Sequence, residues 1–322
     1  DFGYLLMKAA ADSSGTQYTT IKNCTITLQN ANTNSVGLGL RNWRYDPDNN
    51  LWYTPILLNT RQSNSNNSIQ GNYITNCFSG INFQGYSLEA LQDDNNDFGS
   101  EAGNTITNFG GTSGTAEAIY GRDASHLVLA NNLVTGTVPG GTCYAIHINT
   151  CANLSLTMYG NTVTVTYLGT LSFNGIRLLP GNSTTSNTTV SIHDNVITGC
   201  TFPNATSSTC DYFYAGCGGP KKPFFNNSVT NNQYGSNSTN SNGQVIYIRT
   251  SFYPSFLGTS DIFNNTVSNN VRYQKSSATG GVTTYMDFGG QSRSLTCYNN
   301  VCDNNPSAPD GTVTGIQCHP LE

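Results

Sequence analysis

The sequence predicts an all-β protein whose chain winds into a right-handed parallel β-helix, a solenoid of about nine coils. Three observations favour this fold: an Asn-centred motif recurs along the chain, short strand-like segments lie between its copies, and no segment has helical periodicity. Hydrophobic residues make up 36% of the 322 residues and charged residues only 10%, which suits a thin, long core. We therefore treat 1–322 as a single β-helical domain.

The motif that defines the coils is a small polar residue, then Asn, any residue, Val or Ile, and Thr or Ser. Copies read "GNYIT", "GNTIT", "NNLVT", "GNTVT", "DNVIT", "NNSVT" and "NNTVS", with the degenerate forms "NCTIT" and "NNVCD" at the two ends. After a first gap of 48 residues, the copies follow at intervals of 28–38 residues. Most of these intervals are too short for a propeller blade, which needs about 40–50 residues. The inner position is occupied by Cys24, Asn72, Asn104, Asn132, Asn161, Asn195, Asn227, Asn265 and Asn300.

Each coil is predicted to contain two strands besides the one in the motif. One alternating segment lies between motifs, as in "SGINF", "EAIYG", "YAIHI", "NGIRLL" and "QVIYI", and another runs into the motif, as in "HLVLANN". Asn suits the corners because it tolerates the left-handed backbone region and can bond neighbouring amides. In coils stacked about 4.8 Å apart, equivalent Asn side chains are expected to form ladders. The apolar residue of the motif should form one inward column: Ile74, Ile106, Val134, Val163, Ile197, Val229 and Val267.

Two long segments between motifs, residues 41–70 and 201–225, are predicted to be loop insertions. The first includes "RNWRYDPDNNLWYTP", which contains both tryptophans of the chain. Aromatic side chains on a loop of a rigid scaffold can stack on sugar rings or anchor a protein partner. The alternative is that they pack back on the coils as a cap. The aromatic residues concerned are Trp43, Tyr45, Trp52 and Tyr53.

A second candidate binding surface follows from strand alternation. Because the Ile of each "GI" or "AI" pair should point inward, the next residue should point outward. Such a column of hydrogen-bonding and aromatic groups suits a glycan chain or an extended partner strand. An ordinary solvated sheet face with residues of good β-propensity is the alternative. The predicted outer column consists of Asn82, Tyr120, His147, Arg177 and Tyr247.

The densest acidic group is "DDNND", in which Asp93, Asn95 and Asp97 offer the alternating oxygen ligands that suit calcium. Phe98 stands at the Gly place of an EF-hand loop, and Asn104 stands at the place of the bidentate Glu. A turn held by Asx hydrogen bonds is therefore the alternative. Calcium is the one cofactor that the sequence suggests.

The cysteines are consistent with an oxidising compartment. There are ten of them, no two are spaced as in a CxxC motif, and the four histidines are scattered, which argues against a zinc site. Cys143 with Cys151, and Cys210 with Cys217, are each close in sequence, so we predict that these two pairs form disulfides. The alternative is that individual cysteines are buried free thiols.

Part of the sequence resembles the giant β-helix repeat surface proteins of Bacteroidota. The resemblance rests on "FGYLL" with "TIKNCTITLQNANTNSVG", and on "LQDDNNDFGSEAGNTITNFGGT", and it is clearest over residues 1–40 and 91–199. It implies a right-handed parallel β-helix in a long, adhesin-like protein exported by type IX secretion. No catalytic residue is implied, because that family shares no catalytic motif.

These observations lead to one expected function and two alternatives. We expect an extracellular structural or adhesive module, a fragment of a longer cell-surface protein whose partners are neighbouring copies, further β-helical parts or cell-surface glycans. A polysaccharide-binding or polysaccharide-cleaving β-helix (a lyase or hydrolase) is the first alternative. The second is an ice-binding surface formed by outward Thr residues such as Thr105 and Thr107. The net charge of −5 argues against nucleic-acid binding, and no apolar stretch reaches the ~20 residues that span a bilayer.

Overall fold

The computed structural model describes residues 1–7, 15–42, 44–46, 51–53, 63–86, 91–151, 155–180, 190–205, 209–216, 221–236, 243–252, 259–273, 282–290, 294–303, 305 and 312–319. Within these ranges the chain consists mainly of strands and turns, and no α-helix occurs. Most strands belong to three long parallel sheets, which we call A, B and C, and successive coils add one strand to each sheet.

Sheet A has ten strands, each paired in parallel with the strands of the coils before and after it. These strands are β1 (Phe2–Met7), β4 (Val36–Arg41), β9 (Ser79–Gln84), β13 (Thr115–Arg122), β17 (Thr142–Cys151), β20 (Phe173–Pro180), β24 (Cys210–Ala215), β28 (Gln244–Phe252), β32 (Val282–Gly290) and β35 (Thr312–His319).

Sheet B has nine strands in the same parallel arrangement. They are β2 (Thr20–Lys22), β7 (Ser68–Gln70), β11 (Asp97–Phe98), β15 (Leu127–Ala130), β18 (Leu156–Tyr159), β21 (Val190–His193), β25 (Lys221–Phe225), β29 (Thr259–Phe263) and β33 (Ser294–Tyr298). A two-stranded parallel ladder, β10 (Asp93–Asp94) with β14 (Ala124–Ser125), lies between sheets A and B along the chain.

Sheet C contains the strand of each Asn-centred motif and three additional short strands. The motif strands are β3 (Thr25–Thr27), β8 (Tyr73–Thr75), β12 (Thr105–Thr107), β16 (Leu133–Val138), β19 (Thr162–Tyr167), β22 (Val196–Thr198), β26 (Ser228–Thr230), β30 (Thr266–Ser268) and β34 (Val301–Asp303). The additional strands are β23 (Thr201–Phe202), β27 (Gln233–Tyr234) and β31 (Val271–Arg272). This stacking confirms the predicted parallel β-helix.

The predicted inward column of the motif is confirmed. Equivalent apolar residues are register partners from coil to coil, beginning with Ile26 opposite Ile74 and Ile74 opposite Ile106. Every residue of the predicted column is 0% exposed. The motif therefore anchors sheet C to the core through one branched aliphatic side chain per coil.

The two residues that begin each motif have different roles. In every motif except the one that begins at Gly103, the first adopts the left-handed backbone conformation, with φ between 53° and 65° for Asn23, Gly71, Asn131, Gly160, Asp194, Asn226, Asn264 and Asn299. The second points inward and forms a continuous buried ladder. In its middle, Asn132 accepts hydrogen bonds from the backbone N and Nδ2 of Asn104 at 3.1 and 2.9 Å, and its own Nδ2 donates to the Phe98 carbonyl. Because the ladder satisfies these buried amides from coil to coil, it fixes the register of the whole stack.

The interior is narrow in the first coils and wider in the later ones. At one inward position of sheet A the early coils carry only small residues, Gly80, Ala118, Ala145 and Gly175, whereas the later coils carry buried tyrosines. These tyrosines stack on one another, with ring centroids 5.1 Å apart for Tyr212 and Tyr247 and 5.6 Å apart for Tyr247 and Tyr285.

The predicted disulfides are wrong. Cys143 and Cys210 are buried free thiols. Cys143 and Cys151 belong to one strand, β17, so extended backbone separates them by roughly 26 Å, whereas the Cα atoms of a disulfide lie within about 7 Å. Cys210 begins strand β24, and its thiol is free. The side chains of Cys151 and Cys217 lie outside the described residues.

The two predicted insertions differ from each other. Residues 41–70 contain an antiparallel pair, β5 (Arg44–Asp46) with β6 (Leu51–Tyr53), which forms a two-stranded sheet separate from sheets A, B and C. Residues 201–225 contain three strands of the sheets, β23, β24 and β25, so the connections there are shorter than the predicted insertion.

Candidate binding face on sheet A

The outer side of sheet A presents two neighbouring columns of polar and aromatic side chains. Register partners define the first column as Asn82, Tyr120, His147, Arg177, Tyr214, Arg249 and Asp287. The second column contains Glu117, Tyr144, Asn174 and Asp211. We call these two columns the sheet A face. Because the coils stack in register, neighbouring members of a column lie about 4.8 Å apart.

In the middle of this face a histidine is held by three neighbours. His147 Nδ1 lies 2.8 Å from Glu117 Oε1, and the imidazole stacks on Tyr144 with ring centroids 4.4 Å apart. Tyr120 approaches the same ring edge-on at 5.4 Å. His147 is therefore largely enclosed, and it orders the two tyrosines that flank it.

Arginines alternate with tyrosines in the next three coils. Arg177 Nη1 donates to Tyr144 Oη at 3.0 Å, and its guanidinium lies over the rings of Tyr144 and Tyr214. Arg249 lies over the opposite side of Tyr214, 5.4 Å from the ring centroid, and its Nε is 3.7 Å from Asp287 Oδ2. These cation–π contacts hold long side chains in fixed positions before any ligand binds.

Burial changes the acid–base properties of the groups around this face. Burial raises the pKa of Asp211, and Arg249 and Arg177 oppose the shift by favouring its charged form. Asp211 Oδ1, Arg177 Nε and His147 Nε2 are buried without a hydrogen-bond partner. Burial, together with the nearby charge of Arg122, lowers the pKa of Arg41 to about 10. The face therefore has unused hydrogen-bonding capacity as well as aromatic surface.

Four residues of the predicted outer column, Asn82, Tyr120, His147 and Arg177, belong to this face, and the fifth, Tyr247, does not. Tyr247 was predicted to point outward, but it is 1% exposed and stacks inside the coil. In "QVIYI" the residue equivalent to the Ile of "GI" is Ile248, so the outward residue is Arg249. Tyr144 and Tyr214 were not among the residues singled out from the sequence. A signal was present in the sequence: aligning "YFYA" with "GIRL" places Tyr214 opposite Arg177.

The aromatic insertion is described only in part. Tyr45 and Trp52 are directly opposite each other in the β5–β6 pair, and Tyr53 is opposite Arg44. Trp43 lies outside the described residues, as do the side chains of the other three aromatics. The backbone thus brings the two aromatic segments together in one hairpin.

The predicted calcium ligands do not converge. Asp97 forms an Asx turn in which Ser100 N donates to its Oδ1 at 3.1 Å, and Ser100 Oγ donates to its Oδ2. Asn95 is exposed and donates to Asp94 Oδ2, whereas Asp93 is buried and bonds other residues. Within the described ranges, no three His, Cys, Asp or Glu side chains are grouped so as to hold a metal ion.

Sheet B carries a different aromatic column, also missed in the sequence. Tyr159, His193, Phe225, Phe263 and Tyr298 stack in register, with centroids 4.7–5.4 Å apart and interplanar angles of 1–8°. Because each ring covers the face of the next, the rings present mainly their edges to the outside. A sugar ring stacks on an aromatic face, so this column is less suited to glycans than the sheet A face.

Comparisons with known proteins were negative: no family model matched the sequence, and no curated protein matched it. No helix in the described part of the chain is long and apolar enough to cross a bilayer.

Proposed function

We propose that this protein is a rigid β-helical rod of a cell surface, and that it binds glycan chains along the sheet A face. The observation that carries the proposal is the alternation of Tyr144, Arg177, Tyr214 and Arg249, which are ordered by contacts with one another. Sugars are recognised by aromatic faces and planar hydrogen-bonding groups, and preordered side chains lose little entropy on binding.

The shape of the face fits an extended polymer. A parallel β-helix presents equivalent groups at a constant spacing along its axis, so a repeating chain can make the same contact in successive coils. The weak net charge and the mixture of Arg with Asp and Glu on this face favour a neutral or weakly acidic glycan over a polyanion. Adhesion to a surface would follow from many such contacts along one rod.

Binding can be tested by calorimetry with the full chain and a panel of neutral and acidic polysaccharides. We expect at least one to bind, and we expect Tyr214→Ala and Arg249→Ala each to weaken binding about tenfold or more. Lys22→Ala is the matched control, because Lys22 is an exposed cation on sheet B paired with Glu101. No binding to any polysaccharide, or equal affinity of all variants, would contradict the proposal.

The same incubations test for cleavage. Asp211 and Asp287 lie on one face in different environments, since burial raises the pKa of Asp211 while Asp287 is close to Arg249. A pair of carboxyl groups in unlike environments is the pattern that acid–base catalysis uses. Release of unsaturated products or new reducing ends would assign an enzymatic role to this face, and their absence would leave binding alone.

Ice binding is a second candidate, and one observation favours it. The first outward Thr column of sheet C is interrupted by Tyr73, Leu133 and Val196, but the second column is not. Thr230 Oγ1 donates to Thr198 Oγ1 at 3.2 Å, so adjacent hydroxyls are aligned. The second column consists of Thr27, Thr75, Thr107, Thr135, Thr164, Thr198, Thr230 and Ser268.

Thermal hysteresis and inhibition of ice recrystallisation test this candidate. Thr75 and Thr107 are nearly buried, so the accessible run extends from Thr135 to Thr230. If this run binds ice, Thr164→Tyr should abolish the activity, because one large side chain breaks a flat surface. Thr157→Tyr on sheet B is the matched control. Absence of hysteresis in the wild-type chain would remove the candidate.

A further inference from the structure

Several buried polar atoms near the first insertion have no hydrogen-bond partner. They belong to Asp93, to Asn42, which is hydrogen-bonded to Asp93, and to Gln92, which precedes Asp93 in the chain. Asp93 is 1% exposed; its Oδ1 accepts hydrogen bonds from Asn42 Nδ2 at 2.8 Å and from the backbone N of Asn64 at 2.9 Å. Its Oδ2 has no partner, and neither have Asn42 Oδ1 and both polar atoms of Gln92. Buried polar atoms are nearly always bonded, so this group requires a ligand or solvent.

Comparison with the adjacent corner shows why Asp93 is unusual. Three residues later, Asn96 Oδ1 accepts from the N and Nδ2 of Asn67, and its own Nδ2 donates to the Asn64 carbonyl. Asp93 takes the equivalent place above Asn64, but it has an acceptor where Asn96 has a donor. A carboxylate oxygen there repels other acceptors unless a cation or a proton lies between them.

We infer that Asp93, Asn42 and Gln92 form a buried cation site, and that Ca²⁺ is the ion it takes. One carboxylate oxygen and two amide oxygens are hard ligands, which suit Ca²⁺ and not Zn²⁺. Ca²⁺ also tolerates irregular geometry better than Mg²⁺ does. The unpartnered donors Asn64 Nδ2 and Gln92 Nε2 would bond water molecules that complete the coordination shell.

Charge near the site is consistent with a cation of modest affinity. Asp123 is close enough for its charge to act on Asp93, and its own carboxylate lies 3.6 Å from Arg122 Nε. Only one carboxylate thus faces the ion directly. Sites with few carboxylates bind Ca²⁺ with dissociation constants of about 10⁻⁴–10⁻³ M.

The site differs from the calcium ligands predicted from sequence. Asp93 is common to both, but Asn95 and Asp97 face outward and are replaced by Asn42 and Gln92. Asn42 comes from the end of a sheet A strand in the preceding coil, about 50 residues earlier in the chain, so spacing in sequence gave no indication of it.

Calorimetric titration of the metal-free full chain with CaCl₂ at pH 8 tests the site. We expect one Ca²⁺ per chain and a melting temperature that rises by about 2–5 °C in 10 mM CaCl₂. Asp93→Asn should abolish both effects while remaining folded, because it restores the Asn found at the adjacent corner. Asp97→Asn, the matched control on the surface, should bind Ca²⁺ as the wild type does.

A gain-of-function variant makes the test independent of how Asp93→Asn folds. Gln92→Glu places a second carboxylate at the unpartnered oxygen and should tighten Ca²⁺ binding about tenfold. Burial raises the pKa of Asp93 to about 7, so wild-type binding should weaken about fivefold between pH 7 and pH 6, as the carboxylate takes up a proton. No Ca²⁺ binding by the wild-type chain, or unchanged binding by Asp93→Asn or Gln92→Glu, overturns the inference.

Discussion

The early and later coils of this β-helix share one repeat but differ in cross-section. In the early coils the inward position of sheet A is Gly or Ala, and a Cβ added to Gly80 would lie 2.5 Å from the Ala118 carbonyl oxygen and 2.6 Å from Ile106 Cγ2. In the later coils Tyr212, Tyr247 and Tyr285 fill the same position. The sheets must lie further apart in the later coils, because a tyrosine ring there occupies the inward position that a hydrogen atom or a methyl group occupies in the early coils.

Sheet C accommodates the wider coils by forming a second corner. In the middle coils β16 and β19 are continuous six-residue strands, whereas from β22 onward a left-handed residue divides the strand in two. A second Asn ladder begins there, with Cys200 N donating to Asn232 Oδ1 and Asn232 bonding Asn270. The added corner therefore has its own ladder of buried Asn amides. The coils with the larger core volume are thus also the coils with the second Asn ladder.

The largest expected effect comes from the wide half. Tyr247→Ala removes a ring packed between Tyr212 and Tyr285, and the resulting cavity should lower the free energy of unfolding by about 4 kcal/mol. The matched change in the narrow half, Ala145→Gly, should cost only about 1 kcal/mol. Urea denaturation measures the free energy of unfolding of both variants. Equal losses would show that the wide and narrow coils tolerate the removal of an inward side chain equally well.

Asn132→Ala should have the next largest effect. It leaves the backbone N and Nδ2 of Asn104 buried without an acceptor, which should cost about 3 kcal/mol. At the start of the second ladder, Asn232→Ala leaves only the backbone N of Cys200 without its acceptor. This change should lower the free energy of unfolding by about 2 kcal/mol. Thermal unfolding compares the stability of the two variants. If Asn232→Ala were the more destabilised, the number of donors left without an acceptor would not determine the loss of stability.

A pH effect of smaller size is expected in the narrow half. Burial raises the folded-state pKa of Asp93 from 3.8 to about 7, so the folded state holds its proton more strongly than the unfolded state. In calcium-free buffer its contribution to stability is present below pH 4 and is lost as the pH rises to 7. Asp93→Asn should flatten the melting temperature over this range. An unchanged profile in that variant would assign the pH dependence to other groups.

The smallest effect is a difference in the reactivity of cysteine thiols, and it involves no change in stability. It concerns the cysteines at the junction of the early and later coils. Burial raises the pKa of Cys200 to about 12 and also raises that of Cys143 and Cys210, so iodoacetamide at pH 8 should leave all three unmodified in the folded chain. Partly exposed Cys24 should react faster. Peptide mass mapping checks this, and equal labelling would indicate frequent local opening.

The sequence by itself determined the fold, the coil boundaries and the inward aliphatic column. It could do so because the Asn motif is local: a left-handed residue, a ladder Asn and a branched aliphatic residue act within four positions of one another. The second ladder was also visible in principle, since "NNSVTNNQ" and "NNTVSNNV" each contain two Asn pairs five residues apart.

Only the tertiary structure decided which residues form the sheet A face, the state of the cysteines and the buried polar site. Whether Tyr247 points inward depends on the width of its coil, which is set by residues such as Phe202 and Tyr234 far along the chain. Cys143 and Cys151 are near in sequence but lie on one extended strand, and Asn42 meets Asp93 only because coils stack. Contacts between coils join residues about 30 or more positions apart, and their identity depends on register and loop length, which local patterns do not specify.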